Sequence, residues 1–161
     1  MTATEHEAPR PFRYYLRVRY FECDAQKVVF NVRYGDYVDL AACEFIRALG
    51  FGELLINGPL DYQLVKQTIE WKSPARFDQV LEISACAKHM GTTSFTLWVT
   101  FRIAGQEPVI ATAETVYVLV DAARLGKTPL PADLRAALER GATGLVVDHA
   151  DSNSRTSRRN L

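Results

Sequence analysis

The sequence predicts an α+β fold: one long helix buried against a five-stranded antiparallel sheet. The first observation is residues 34–49, where Tyr34, Tyr37, Val38, Ala41, Phe45, Ile46 and Leu49 recur at three- and four-residue steps, the period of a helix face. Leu40 and Ala42 widen that stripe until most of the circumference is apolar, which marks a helix wrapped by other structure. The second is a series of four strand-like runs after the helix, joined by short turns; short turns make antiparallel neighbours. The third is a single alternating run before the helix, which brings the strands to five. A sheet curling round one helix accounts for all three.

Residues 1–12 are expected to form a flexible leader, with one domain over 13–141. Residues 14–21 alternate, with Leu16, Val18 and Tyr20 on one face and Arg17 and Arg19 on the other, the pattern of a half-buried strand. A polar loop carries the chain into the helix, and Gly50 is placed to end it as a left-handed cap. Strands follow at 60–72, 79–88, 94–103 and 109–120. The third of these is the cleanest, with Phe95, Leu97, Val99, Phe101 and Ile103 facing one way. A short helix is expected over 131–140, with proline near its start and Gly141 after its end. Residues 142–161 read as a polar, disordered tail.

Composition narrows the function class. The chain has 161 residues, 48% apolar and 24% charged, which suits one soluble globular domain. Lys+Arg and Asp+Glu are 19 each, so the formal net charge is zero. That balance argues against bulk nucleic-acid binding, which needs a basic face, and favours self-association. The three cysteines, Cys23, Cys43 and Cys86, are isolated and have no C-x-x-C spacing. They indicate neither a zinc site nor a disulfide framework, and free thiols fit the reducing cytoplasm. The first residues lack the apolar core of a secretory signal. No run of about 20 apolar residues is present, so no membrane span is expected.

Chemistry concentrates in residues 17–37, RVRYFECDAQKVVFNVRYGDY. A strand hands Asp24 to a loop just ahead of the helix start. A carboxylate there can serve as nucleophile or general base. The helix start adds unpaired backbone N–H donors that can hold developing negative charge.

Residues 22–34 (ECDAQKVVFNVRY) carry an acidic pair, then Val29, Phe30, Asn31 and Tyr34 at the spacing of a known signature. Through them the sequence resembles the 4-hydroxybenzoyl-CoA thioesterase-like branch of the hotdog-fold acyl-CoA thioesterases. The resemblance continues at 71–78 (WKSPARFD), 93–95 and 130–131, and covers about residues 14–138. It implies a hotdog fold and hydrolysis of an acyl-CoA thioester to free acid and CoA. Asp24 would attack the thioester carbonyl or activate water. The Asn31 backbone N–H would polarise the carbonyl oxygen, and Phe30 and Tyr34 would line the acyl pocket. Arg76, Lys88, Ser94, Arg124 and Lys127 would contact the CoA. No metal or separate cofactor is implied, since CoA is part of the substrate. The expected assembly is a homodimer or homotetramer with sites at the dimer interface.

Lys27 stands where the family carries glycine. If that position needs positive φ, lysine adopts it at a conformational cost; its amine could also pair with Asp24. Glu22 is read as a solvated or ion-paired neighbour, and Cys23 as a small core residue. Asp39 and Glu44 are expected to be solvated or paired on the helix. His89 is read as structural or exposed. A hotdog hydratase or dehydratase is the less favoured alternative, because those use an Asp–His pair and no His follows Asp24 within the motif, Asn31 standing where some relatives have His. A weak acyl-CoA or acyl-carrier-protein binding module is the alternative that Lys27 motivates.

Overall fold

The computed structural model describes residues 10–151. Chain order is β1 (Phe12–Arg17), a 3-10 turn (Tyr20–Glu22), α1 (Arg33–Ile46), a wide-pitched turn (Arg47–Phe51), α2 (Gly52–Asn57), β2 (Leu60–Trp71), β3 (Val80–Met90), β4 (Ser94–Ile103), β5 (Val109–Asp121), α3 (Ala132–Arg140) and β6 (Val146–Asp148). The sheet runs β2-β5-β4-β3-β1-β6 and curls round α1. Its first five strands pair antiparallel.

Register sorts the faces as the alternation predicts. Phe12 lies opposite Ala85, and Ala85 opposite Val99; Tyr14, Ile83 and Phe101 form the next rung. All of these are buried under the helix. α1 contributes Tyr34, Tyr37, Val38, Ala41, Ala42, Phe45 and Ile46 to the same core. Each large side chain fully buried there contributes about 1.5–3 kcal/mol.

Four expectations are corrected. First, α1 is not wrapped all round: Leu40 is 38% exposed, and Asp36 and Asp39 beside it are exposed. Second, β1 stops at Arg17 and Tyr20 is 81% exposed. Glu22 accepts the Arg19 N–H at 2.8 Å, and this capping contact turns the chain out of the strand. Third, Gly50 does take a left-handed φ of 92°, but it does not end the helical run, which continues into α2.

Fourth, the sheet has six strands and is mixed. Over 142–151 the expected tail is ordered: β6 adds to β1 in parallel, with Tyr14 opposite Val147. The Tyr14 hydroxyl meets His149 Nδ1 at 3.1 Å with the rings edge to face, and Ala150 is buried. A three-residue strand is too short to leave a periodic signal. Residues 1–9 of the expected leader and 152–161 of the expected tail lie outside the described residues.

Candidate active site

Between β1 and α1 the chain folds into a small hairpin. Cys23 pairs with Val29. The Asp24 N–H donates to Val28 O, and the Lys27 N–H to Asp24 O, each at 2.9 Å. Residues 24–27 are therefore a tight turn, and Lys27 adopts φ 62° to close it. A second bridge, Val28 to Arg76, and the Val29 N–H on Ala75 O tie the hairpin to the β2–β3 connection.

The turn presents Asp24. Its Oδ1 accepts the Gln26 N–H at 2.8 Å, which orients the carboxylate as Asp side chains do in turns. Oδ2 meets no partner among the described residues. The Lys27 amine forms no ion pair with Asp24, so the two are neighbours in sequence without being partners.

On the other arm, the Phe30, Asn31 and Val32 carbonyls accept the N–H groups of Arg33, Tyr34 and Gly35, opening α1. The orphan donors that every helix start leaves fall here on Asn31 and Val32. Neither N–H meets an acceptor among the described residues, and both residues are exposed. One hairpin thus carries an open carboxylate oxygen and two open N–H donors.

Phe30 is half-exposed beside them, within reach of a ligand. Tyr34 is not: it is 1% exposed, packed edge to face on Tyr37, Trp71 and Phe101. Burial pushes its hydroxyl up from the ordinary tyrosine value. The expectation that Tyr34 lines an open acyl pocket is revised, because this side chain closes the core under the helix start. Tyr20, Phe21 and Val32 are large, exposed and close by in the chain, and exposed Phe77 follows Arg76, which bridges to Val28. Tyr20 stands edge-on to Phe77, and the Arg19 and Arg33 guanidiniums lie 5.2 and 5.3 Å from the Phe21 ring centroid.

The residues expected to hold CoA do not gather in one chain. Arg76 is exposed beside the hairpin, near the start of β3. Ser94 opens β4 after the turn at the far end of β3. β3 has 11 residues, so these two ends stand about 33 Å apart. Arg124 and Lys127 lie in the β5–α3 loop at the Ser94 end, where the Leu119 N–H donates to Thr93 O. Leu125 between them holds φ 56°, a strained conformation for a bulky residue. Arg76, Arg124 and Lys127 form no ion pair among the described residues. Lys88 is engaged elsewhere: it points to the outer face of the sheet, 2.8 Å from Glu114 and 4.6 Å from the Trp98 ring centroid.

Residues 18–138, most of the chain, match the thioesterase-like superfamily. The chain belongs to that superfamily. The acyl-CoA thioester hydrolase YbgC of Escherichia coli strain CFT073 is 30% identical over 131 residues, covering 80% of this chain and 96% of that protein. The BH1999 gentisyl-coenzyme A thioesterase structure superposes with a TM-score of 0.71 at 28% identity, covering 78% of this chain and 98% of that one. The PA5185 protein of Pseudomonas aeruginosa shares the fold, with a TM-score of 0.75 at 23% identity over 80% of this chain and 89% of that one. The sheet-round-helix architecture is thus the hotdog fold of the thioesterases.

Within this thioesterase, one neighbour of Asp24 differs from its sequence reading. Glu22 is paired but not solvated, being 2% exposed. Oε1 accepts from the Arg19 guanidinium, and Oε2 accepts the Tyr37 hydroxyl at 2.8 Å. Burial alone would raise its pKa; the bonds from Arg19 and Tyr37 outweigh it and hold the carboxyl below its ordinary value. Cys23 is half-buried, and burial, with Glu22 and Asp24 beside it, pushes its thiol up, against a nucleophilic role. Glu44 pairs with Arg47, Asp39 is exposed and so is His89. Among the described residues no cluster of His, Cys, Asp or Glu is placed to hold a metal ion. No helix among the described residues is long and apolar enough to cross a membrane.

Proposed function

We propose that this thioesterase hydrolyses acyl-CoA with Asp24 as its carboxylate and the Asn31 N–H as the donor that polarises the thioester carbonyl. One observation carries the reading. The same short hairpin presents a carboxylate oxygen and helix-start N–H groups that have no partner among the described residues, on a surface rimmed by exposed Phe30 and Val32. Thioester hydrolysis needs a nucleophile or base, a stabilised oxyanion and an apolar seat for the acyl group, and these residues supply each.

Two routes fit. As nucleophile, Asp24 bonds to the acyl carbon and the CoA thiolate leaves, giving a mixed anhydride that water hydrolyses to acid and free carboxylate. As general base, Asp24 takes a proton from water, whose oxygen attacks the same carbon, and the proton passes to the departing thiolate. In both, negative charge builds on the carbonyl oxygen, which the open N–H groups stabilise more strongly than the ground-state carbonyl.

The working assembly in this reading is a homodimer or homotetramer. Arg76 lies at the Asp24 end of β3, whereas Ser94, Arg124 and Lys127 lie at the other end. An extended ligand that uses both groups meets them from two chains. β2, a 12-residue edge strand with Leu64 and Val65 exposed, is the edge that could join them.

The test is thiol release from a panel of acyl-CoAs. Wild type is expected to turn over at least one of them, and Asp24→Asn and Asp24→Ala to lose roughly 10²-fold or more in kcat. Equal activity in the variants removes Asp24 from the chemistry, and inactivity of wild type on every acyl-CoA removes the substrate class.

A further inference from the structure

Glu22 is a buried, ionised group that the chemistry above leaves unused. It sits where the two arms of the hairpin meet. Its backbone carbonyl accepts the Phe30 N–H at 2.9 Å, which closes the hairpin two residues before Asp24 and one residue before Asn31. Its side chain faces the core and accepts four donors: the Arg19 N–H, Arg19 Nε and Nη2, and the Tyr37 hydroxyl. Tyr37 is itself fully buried one turn into α1.

We infer that Glu22 is a positioning residue, clamping the Asp24 arm and the Asn31 arm of the hairpin to α1 so that carboxylate and oxyanion donors keep one mutual geometry. The inference rests on the roles proposed for Asp24 and Asn31. Three partners converge on this one residue: Phe30 of the return arm on its carbonyl, Tyr37 of the helix on Oε2, and Arg19 at the start of the 3-10 turn on both side-chain oxygens. With all of them in place the hairpin has no free hinge at its base. Catalytic groups set by such a frame are sensitive to it, since a shift of about 1 Å can cost on the order of 10²-fold in rate.

Glu22→Gln keeps the size but puts an NH2 where an acceptor faces donors from Arg19 or Tyr37. Tyr37→Phe keeps the charge and removes one bond. Steady-state kinetics on the best acyl-CoA, referred to the folded fraction measured by circular dichroism, should show kcat down tenfold to a hundredfold for Glu22→Gln. For Tyr37→Phe the expected fall is a few-fold, and KM should stay within twofold for both. A merely structural role moves thermal stability while kcat per folded molecule stays at the wild-type value, and that outcome overturns the inference. If Glu22→Gln does not fold, Tyr37→Phe decides alone by the same criterion. Asp24→Asn in the same assay separates the two claims: if it retains full activity, the reading of Asp24 fails whatever Glu22 does.

Discussion

Lys27 shows how a single backbone angle can be read from a side chain that does not suit it. The position closes a tight turn, and the structure holds it at φ 62°, where glycine is favoured. A non-glycine residue there costs about 1–2 kcal/mol locally, part of which glycine gives back as unfolded-state entropy. Lys27→Gly is therefore expected to stabilise the protein by roughly 0.5–1 kcal/mol, seen as a higher urea midpoint with unchanged slope. An equal or lower midpoint would show that the turn carries no such strain. Glu22 gives a second expectation. Its carboxyl is held below the ordinary value, so its stabilising contribution is complete above the unfolded-state value of about 4.3 and is lost as pH falls through the lower folded value. Urea unfolding between neutral and acid pH should show the wild type losing stability more steeply than Glu22→Gln, with the gap narrowing on acidification; parallel curves would count against it. The loop that carries Asp24 ahead of α1 was legible because its neighbours form a motif. The burial of Glu22 was not, because simple alternation through residues 18–24 takes no account of the 3-10 turn at Tyr20–Glu22.

At the scale of elements, the central helix and the strands β2 to β5 were legible because each is long enough for its period to repeat. α1 buries seven residues spaced as a helix face requires, and β4 runs over the residues its alternation marks. What escaped was short. β6 has three residues, too few for a period to repeat, and it exists because the β1 edge offers it a backbone to pair with. Around it the Arg13 N–H donates to Leu145 O, the Gly144 N–H to Arg10 O and the His149 N–H to Tyr15 O. Truncation after Gly141 should therefore cost stability although it removes little core: about 2 kcal/mol, or roughly 4–8 °C in thermal midpoint. An unchanged midpoint would mean that β6 decorates the edge without supporting it.

For the whole molecule, the proposed function asks two distant groups to serve one ligand. Asp24 and Arg76 occupy one end of the sheet and Ser94, Arg124 and Lys127 the other. Sequence order gave no hint of this separation, since which end of a strand a residue occupies depends on the direction of every strand between. In the assembly proposed above, an oligomer built across β2 would answer it. Leu64→Asp with Val65→Asp places two charges on that edge, and the pair is expected to shift the protein to monomer in sedimentation velocity, with thiol release falling in step. An oligomer that survives both substitutions would locate the subunit contact elsewhere.

The pairing of β6 with β1 has a further consequence for how the chain is strung through space. The first and last described strands are neighbours on one border of the sheet, and the border formed by β2 is the opposite one. The described residues therefore begin and end at the same border, away from β2. Joining the two ends and opening the chain at the β3–β4 turn should give a circular permutant that keeps every strand contact described here.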